Sequence, residues 1–122
     1  VLDGVRAQEI KESLEEDILE ELTHAELLGQ RLKQLNARPP GSAEFTAQQD
    51  SLQPPADSTD VLSVIRGVLD AEDDAISTYR ELVDLAREAD DPVTEDLAVE
   101  ILADEEAHRT EFQGFEKEYS GK

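Results

Sequence analysis

The chain has 122 residues, 31 of them acidic against 11 basic, for a net charge of −20, and it contains neither cysteine nor methionine. That length suits a single domain spanning residues 1–122. The charge excludes a surface that wraps phosphates, so no nucleic-acid partner is expected; the missing cysteines exclude disulfides and thiol chemistry, and the short apolar runs exclude a membrane span.

The opening VLDG lacks an initiator methionine, so the chain is expected to be a piece of a longer protein. Asp3-Gly4 reads as a turn feeding a helix from about Val5 to Asn36, stopped before Pro39-Pro40-Gly41. Residues 37–58 are rich in Pro, Ser and Gln, show no period, and read as a loop. A second helix is expected from near Thr59 to near Glu88. Asp90-Asp91-Pro92 marks a fresh start, with Asp91 as cap and Pro92 at the first helical position of a third helix that continues to about Tyr119. No segment alternates with period two, so the fold class is all-α. The loop can reach roughly 70 Å when extended, whereas a 30-residue helix is about 45 Å long. It can therefore cross a whole bundle and leave the first two helices parallel, while the short Asp90-Asp91-Pro92 link makes the last two antiparallel.

Each helix carries a stripe at three- and four-residue spacing, the core side of a bundle helix. In the first it is Ala7, Ile10, Leu14, Ile18, Glu21, Ala25, Leu28, Leu32 and Leu35. The second reads Leu62, Ile65, Leu69, Glu72, Ile76, Tyr79, Val83 and Ala86, and the third Ala98, Ile101, Glu105, His108, Phe112, Phe115 and Tyr119. One carboxylate interrupts each stripe, near mid-height of its helix, and His24 stands one turn after Glu21. Three buried acids at one level repel one another and demand a positive charge. None of the stripes supplies Arg or Lys, and mixed carboxylate and imidazole donors suit iron, manganese or zinc.

Glu-x-x-His places both side chains on one helix face, a turn apart, where one ion can take a ligand from each. A single such spacing is weak evidence in so acidic a chain. Both histidines have a Glu three positions before them, which chance would arrange roughly 2% of the time. Bundles with two Glu-x-x-His helices and one Glu on each of the other two form dinuclear carboxylate sites. This chain has two of the former and one of the latter. The overall acidity has two compatible readings: a solvated, halophilic surface adapted to high salt, and an acidic cavity that collects cations.

The segments EELTHAELLGQRL, VIRGVLDAEDDAISTYREL and AVEILADEEAHRTEF resemble the second, third and fourth helices of the ferritin-like superfamily, and bacterioferritins and related Dps-like proteins in particular. The resemblance implies a ferritin-like four-helix bundle with a long crossover, residues 37–58, of which this chain supplies three helices. It implies a di-iron ferroxidase oxidising Fe(II) with dioxygen or peroxide for iron storage and detoxification, in a cytoplasmic homo-oligomer that often forms a hollow shell. Glu21 and Glu105 would bridge the metals, His24 and His108 would each bind one, and Glu72 would be a terminal ligand. Glu20 and Asp104 would orient the opposite imidazoles, or else be solvated surface acids. Tyr79 would hydrogen-bond a ligand, donate an electron, or simply fill the core. Leu22 stands where bacterioferritins carry the haem-binding Met, so no haem is expected. The fourth carboxylate belongs to a helix preceding Val1, or to a neighbouring chain. A rubrerythrin-like peroxidase, a manganese catalase-like enzyme and a non-enzymatic metal-binding helical assembly are the alternative readings.

Overall fold

A computed structural model describes residues 2–48 and 50–121. A 3-10 turn, Val5–Ala7, leads into α1 (Gln8–Gln34), followed by α2 (Val61–Glu88) and α3 (Pro92–Tyr119). Among the described residues there is no strand, and no helix is long and apolar enough to cross a membrane.

The helix ends follow from local chemistry. α1 stops because Asn36 enters the left-handed region at φ 59°. The Asn36 amide then donates to the Lys33 carbonyl at 3.0 Å and the Ala37 amide to Leu32 at 2.8 Å, which satisfies the last carbonyls. Asp60 caps α2 by accepting from the Ser63 amide. At the other end of α2, Asp90 takes a φ of 54°, and the Asp91 amide donates back to the Ala86 carbonyl at 2.9 Å. The Asp91 side chain meanwhile caps α3 by accepting from the Thr94 amide at 3.1 Å. One residue thus closes α2 and opens α3, and Pro92 occupies the first position of α3, where an amide hydrogen is not needed.

Ion pairs record the topology. Arg66–Glu116, Asp73–Arg109, Arg80–Glu106 and Arg87–Glu95 run in opposite sequence order along α2 and α3, so these helices are antiparallel. Such exposed pairs mark register more than they add stability. Ser13–Glu111, Glu20–His108, His24–Asp104 and Arg31–Asp91 do the same for α1 and α3. α1 and α2 are therefore parallel, as the long connection allows. That connection touches α2 at Gly67, where an added Cβ would lie 2.5 Å from the Ser51 carbonyl oxygen. Only glycine admits the backbone so close.

An apolar cluster at one end joins Leu2, Ala7, Ile10, Val61, Ile65, Val68 and Phe112. Phe112 is fully buried, worth about 2–3 kcal/mol, and meets Phe115 edge-on with ring centroids 5.3 Å apart. α1 departs from its expected stripe. Ile18, Glu21, Ala25 and, just past its end, Leu35 are exposed, so Glu21 is not the buried acid the stripe predicts; the buried positions of α1 are Ile10, Ser13 and His24. The reason is the arrangement of neighbours: α1 packs one edge on α3, and a cleft of about 330 Å³ separates it from α2. Leu14, Ile18, Leu22, Leu52, Val68 and Ala71 line that cleft, with Asp17, Glu21 and Glu72 among them.

Candidate metal centre

Midway along the bundle the apolar packing gives way to Glu72, Glu105, His24 and His108, all buried. α1 brings Glu21 and His24, α2 brings Glu72, and α3 brings Glu105 and His108. The His24 Nδ1 lies 3.2 Å from Glu105 and 3.5 Å from Glu21. The His108 Nδ1 lies 4.0 Å from Glu105, 3.9 Å from Glu21 and 3.8 Å from Glu72. Glu21 and Glu105 are thus common to both imidazoles, and Glu72 stands on the His108 side only. Donor atoms of Glu21, Glu72, Glu105 and His108 fall within 4.8 Å of one another, a spacing that can hold a metal ion.

The outer imidazole nitrogens face acids. His24 Nε2 is 2.8 Å from Asp104, and His108 Nε2 is 2.8 Å from Glu20. An N–H at Nε2 donating to each carboxylate leaves Nδ1 as a lone pair aimed at the centre. Both Nδ1 atoms, Glu72 Oε2 and Glu105 Oε1 are buried without a hydrogen-bond partner. Orphaned polar atoms in the interior are costly, and here they converge on one place. Burial, and then the adjacent Glu21 and Glu72, push the Glu105 carboxyl up to about 11. Burial opposes charge on His108, but Glu20 and Asp17 outweigh it and raise its pKa above the ordinary value. Half-buried Tyr79 has its hydroxyl raised by burial and then by Glu105 and Glu21, within whose field it lies. A divalent cation would supply what the donor set lacks: a partner for the lone pairs and a countercharge for the acids.

Sequence reasoning missed Asp17. Its carboxylate approaches His108 Nε2 to 3.4 Å, one oxygen is buried and unpartnered, and burial raises its pKa from 3.8 to about 6. The signal was present in the spacing Ser13, Asp17, Glu20, His24, a polar seam beside the apolar stripe that faces Asp104, His108 and Glu111 across the α1–α3 contact.

A family model described as Ferritin, a ferritin-like domain, matches residues 1–119. No curated protein and no solved structure matches the chain. With three long helices, one long crossover and a match over nearly its whole length, the chain belongs to the ferritin-like family.

Proposed function

We propose that the protein is a di-iron ferroxidase that oxidises Fe(II) to Fe(III) with dioxygen or peroxide, for iron storage and detoxification. The observation that carries this reading is the convergence of unpartnered donors: two imidazole Nδ1 atoms and two carboxylate oxygens, all buried, around a point shared by three helices. Carboxylate-rich, imidazole-containing sets suit iron and manganese. When bound, two Fe(II) ions would together supply two electrons, enough with two protons to convert dioxygen to hydrogen peroxide, or hydrogen peroxide to two waters.

The residues divide the work. Glu21 and Glu105, each near both imidazoles, would serve both ions, and His24 and His108 would each hold one of them. Glu72 completes the His108 half. Asp104 and Glu20 orient the imidazoles and fix their tautomers. Tyr79 hydrogen-bonds a ligand or donates an electron from its place beside Glu105. Among the described residues the His24 half has no counterpart of Glu72. That carboxylate comes from a fourth helix lying in the α1–α2 cleft, contributed by the same protein or a neighbouring chain. The protein acts as a homo-oligomer, assembled as a hollow shell in the cytoplasm, and its acidity suits high salt.

The test is anaerobic loading of the full-length protein with Fe(II), followed by air or peroxide, with ferric-oxo absorbance as the readout. Oxidation well above the buffer rate, abolished by Glu105→Ala, is the expected result. No acceleration over buffer refutes the proposal.

A further inference from the structure

The two outer ends of the centre are not alike. α1 and α3 run antiparallel through it and repeat one pattern: Asp17, Glu20, Glu21 and His24 on α1 have the spacing of Ile101, Asp104, Glu105 and His108 on α3. The repeat makes an approximate two-fold, and its reciprocal contacts match, with Glu20 and Asp104 each 2.8 Å from Nε2 of the imidazole on the opposite helix. It breaks at its first member. Where α1 has Asp17, α3 has Ile101, which is fully buried. Among the described residues His108 Nε2 therefore has two acids beside it, Glu20 and, at 3.4 Å, Asp17, whereas His24 Nε2 has Asp104 alone.

Packing does not account for Asp17. One of its oxygens is buried without a partner, which costs stability, and Ile101 shows that an aliphatic side chain suits the matching position. Orientation of the ring is not its task either, because Nε2 carries one hydrogen and Glu20 is the nearer acceptor. What Asp17 adds is a charge held out of water: its side chain is 16% exposed, against 40% for Glu20 and for Asp104. An imidazole that binds a cation through Nδ1 becomes more positive, and an anion shielded from solvent behind Nε2 stabilises that state. Glu72 also stands on the His108 side, but the fourth-helix carboxylate proposed for the His24 half balances it. Asp17 is the imbalance that stays. We infer that Asp17 is a positioning residue that acts through His108, making the His108 position the tighter of the two cation positions and the first to fill.

The inference rests on the two-cation centre proposed above, and a Zn(II) titration of the full-length protein, followed by nuclear magnetic resonance of isotopically labelled histidine, tests both. His24 and His108 are the only histidines of the chain, so each ring nitrogen gives a separate signal, assigned with a His24→Gln variant. At less than one equivalent of Zn(II), the Nδ1 signal of His108 should move before that of His24, with both Nε2 atoms still protonated. Asp17→Asn keeps the shape and removes the charge. It should weaken the first binding step about tenfold or more, leave the second nearly unchanged, and let both Nδ1 signals move together. Losing one of 31 acidic residues lowers both steps slightly and alike, so the narrowed gap between them isolates the local effect. Asp17→Leu, the counterpart of the α3 arrangement, should behave the same way. Ser13→Ala, which removes the Glu111 contact of the same seam, should leave the order of filling as it is, and this separates charge from packing. Far-UV circular dichroism verifies folding of each variant. A parent that binds no cation at Nδ1 of either histidine overturns both ideas. A parent that binds two cations overturns this inference alone if His24 responds first or with His108, or if Asp17→Asn leaves the gap between the steps intact.

Discussion

Replacing Glu105 with Gln separates the cost of the centre from its use. The Glu105 side chain is 2% exposed, and its carboxyl, pushed up to about 11 by burial and by Glu21 and Glu72, keeps its proton at pH 7.5 when no cation is present. Gln is then nearly the same shape and the same charge. The metal-free variant should unfold within about 1 kcal/mol of the parent, or ~4 °C in Tm. Metal binding is another matter, because a cation must expel the Glu105 proton. The parent's affinity for Fe(II) or Zn(II) should rise about tenfold per pH unit between about pH 6 and 8, with about one proton released per binding event. At a hundredfold excess over Kd the cation stabilises the fold by ~2.7 kcal/mol, which raises the parent's Tm by about 10 °C. The Gln variant, having lost a ligand common to both halves, should gain less than a third of that. Anaerobic thermal scans with and without metal measure the first quantity, and titration calorimetry in buffers of different protonation enthalpy measures the proton. A metal-free variant destabilised by more than about 3 kcal/mol, or a parent affinity flat across that pH range, would refute the reasoning.

Asp17→Asn tests the seam behind His108. Burial raises the Asp17 pKa from 3.8 to about 6, so its favourable contribution is complete below about pH 4 and is lost as pH rises through 6. The variant should stabilise metal-free protein by about 1–3 kcal/mol at pH 8 and leave it unchanged at pH 4, read from urea melts at the two pH values; equal effects at both would count against burial as the cause. Asp91 has the opposite sign. Its hydrogen bonds from Thr94, and then Arg31, lower its pKa to about 2, so its contribution is present above about pH 4 and fades toward pH 2. Asp91→Ala should flatten the acid limb of the stability curve while lowering Tm at neutral pH. Gly67→Ala should cost about 1–3 kcal/mol, because the Cβ meets the Ser51 carbonyl. Gly114→Ala, which meets nothing, should gain up to about 1 kcal/mol; equal denaturation midpoints for the two would show that the crossover yields freely at Gly67.

Three carboxylates interrupting otherwise apolar stripes were visible in the sequence because a helix fixes the angle of its own side chains. The same regularity located Asp91 and Pro92 as a helix start, and it placed both histidines one turn after a glutamate. It could not say which neighbour lies at each angle. Ile18 and Ala25 looked buried because the pattern presumes a partner on every apolar side, whereas α1 leans on α3 along Ser13, Asp17, Glu20 and His24. Gly67 offered no cue, since its partner, Ser51, belongs to an aperiodic stretch. Asp17 was hidden for a related reason: in a sequence so rich in acids, its spacing alone does not say that it is buried against His108.

The double duty of Asp91 sets where the protein can tolerate changes in length. Since the residue that seals α2 also opens α3, no spacer exists to absorb an insertion. One extra amino acid between Glu72 and Glu105 would turn one of them about 100° around its helix, taking it out of the centre, and would break the shared cap as well. The described part of the segment between Asn36 and Asp60 meets the bundle at Gly67 and through the Asp3 amide, which donates to the Ser58 carbonyl at 2.9 Å, but none of its residues is shared by two helix ends. Length variation among descendants of this sequence, natural or engineered, should therefore collect in the crossover, while the α2–α3 hairpin behaves as a caliper of fixed opening.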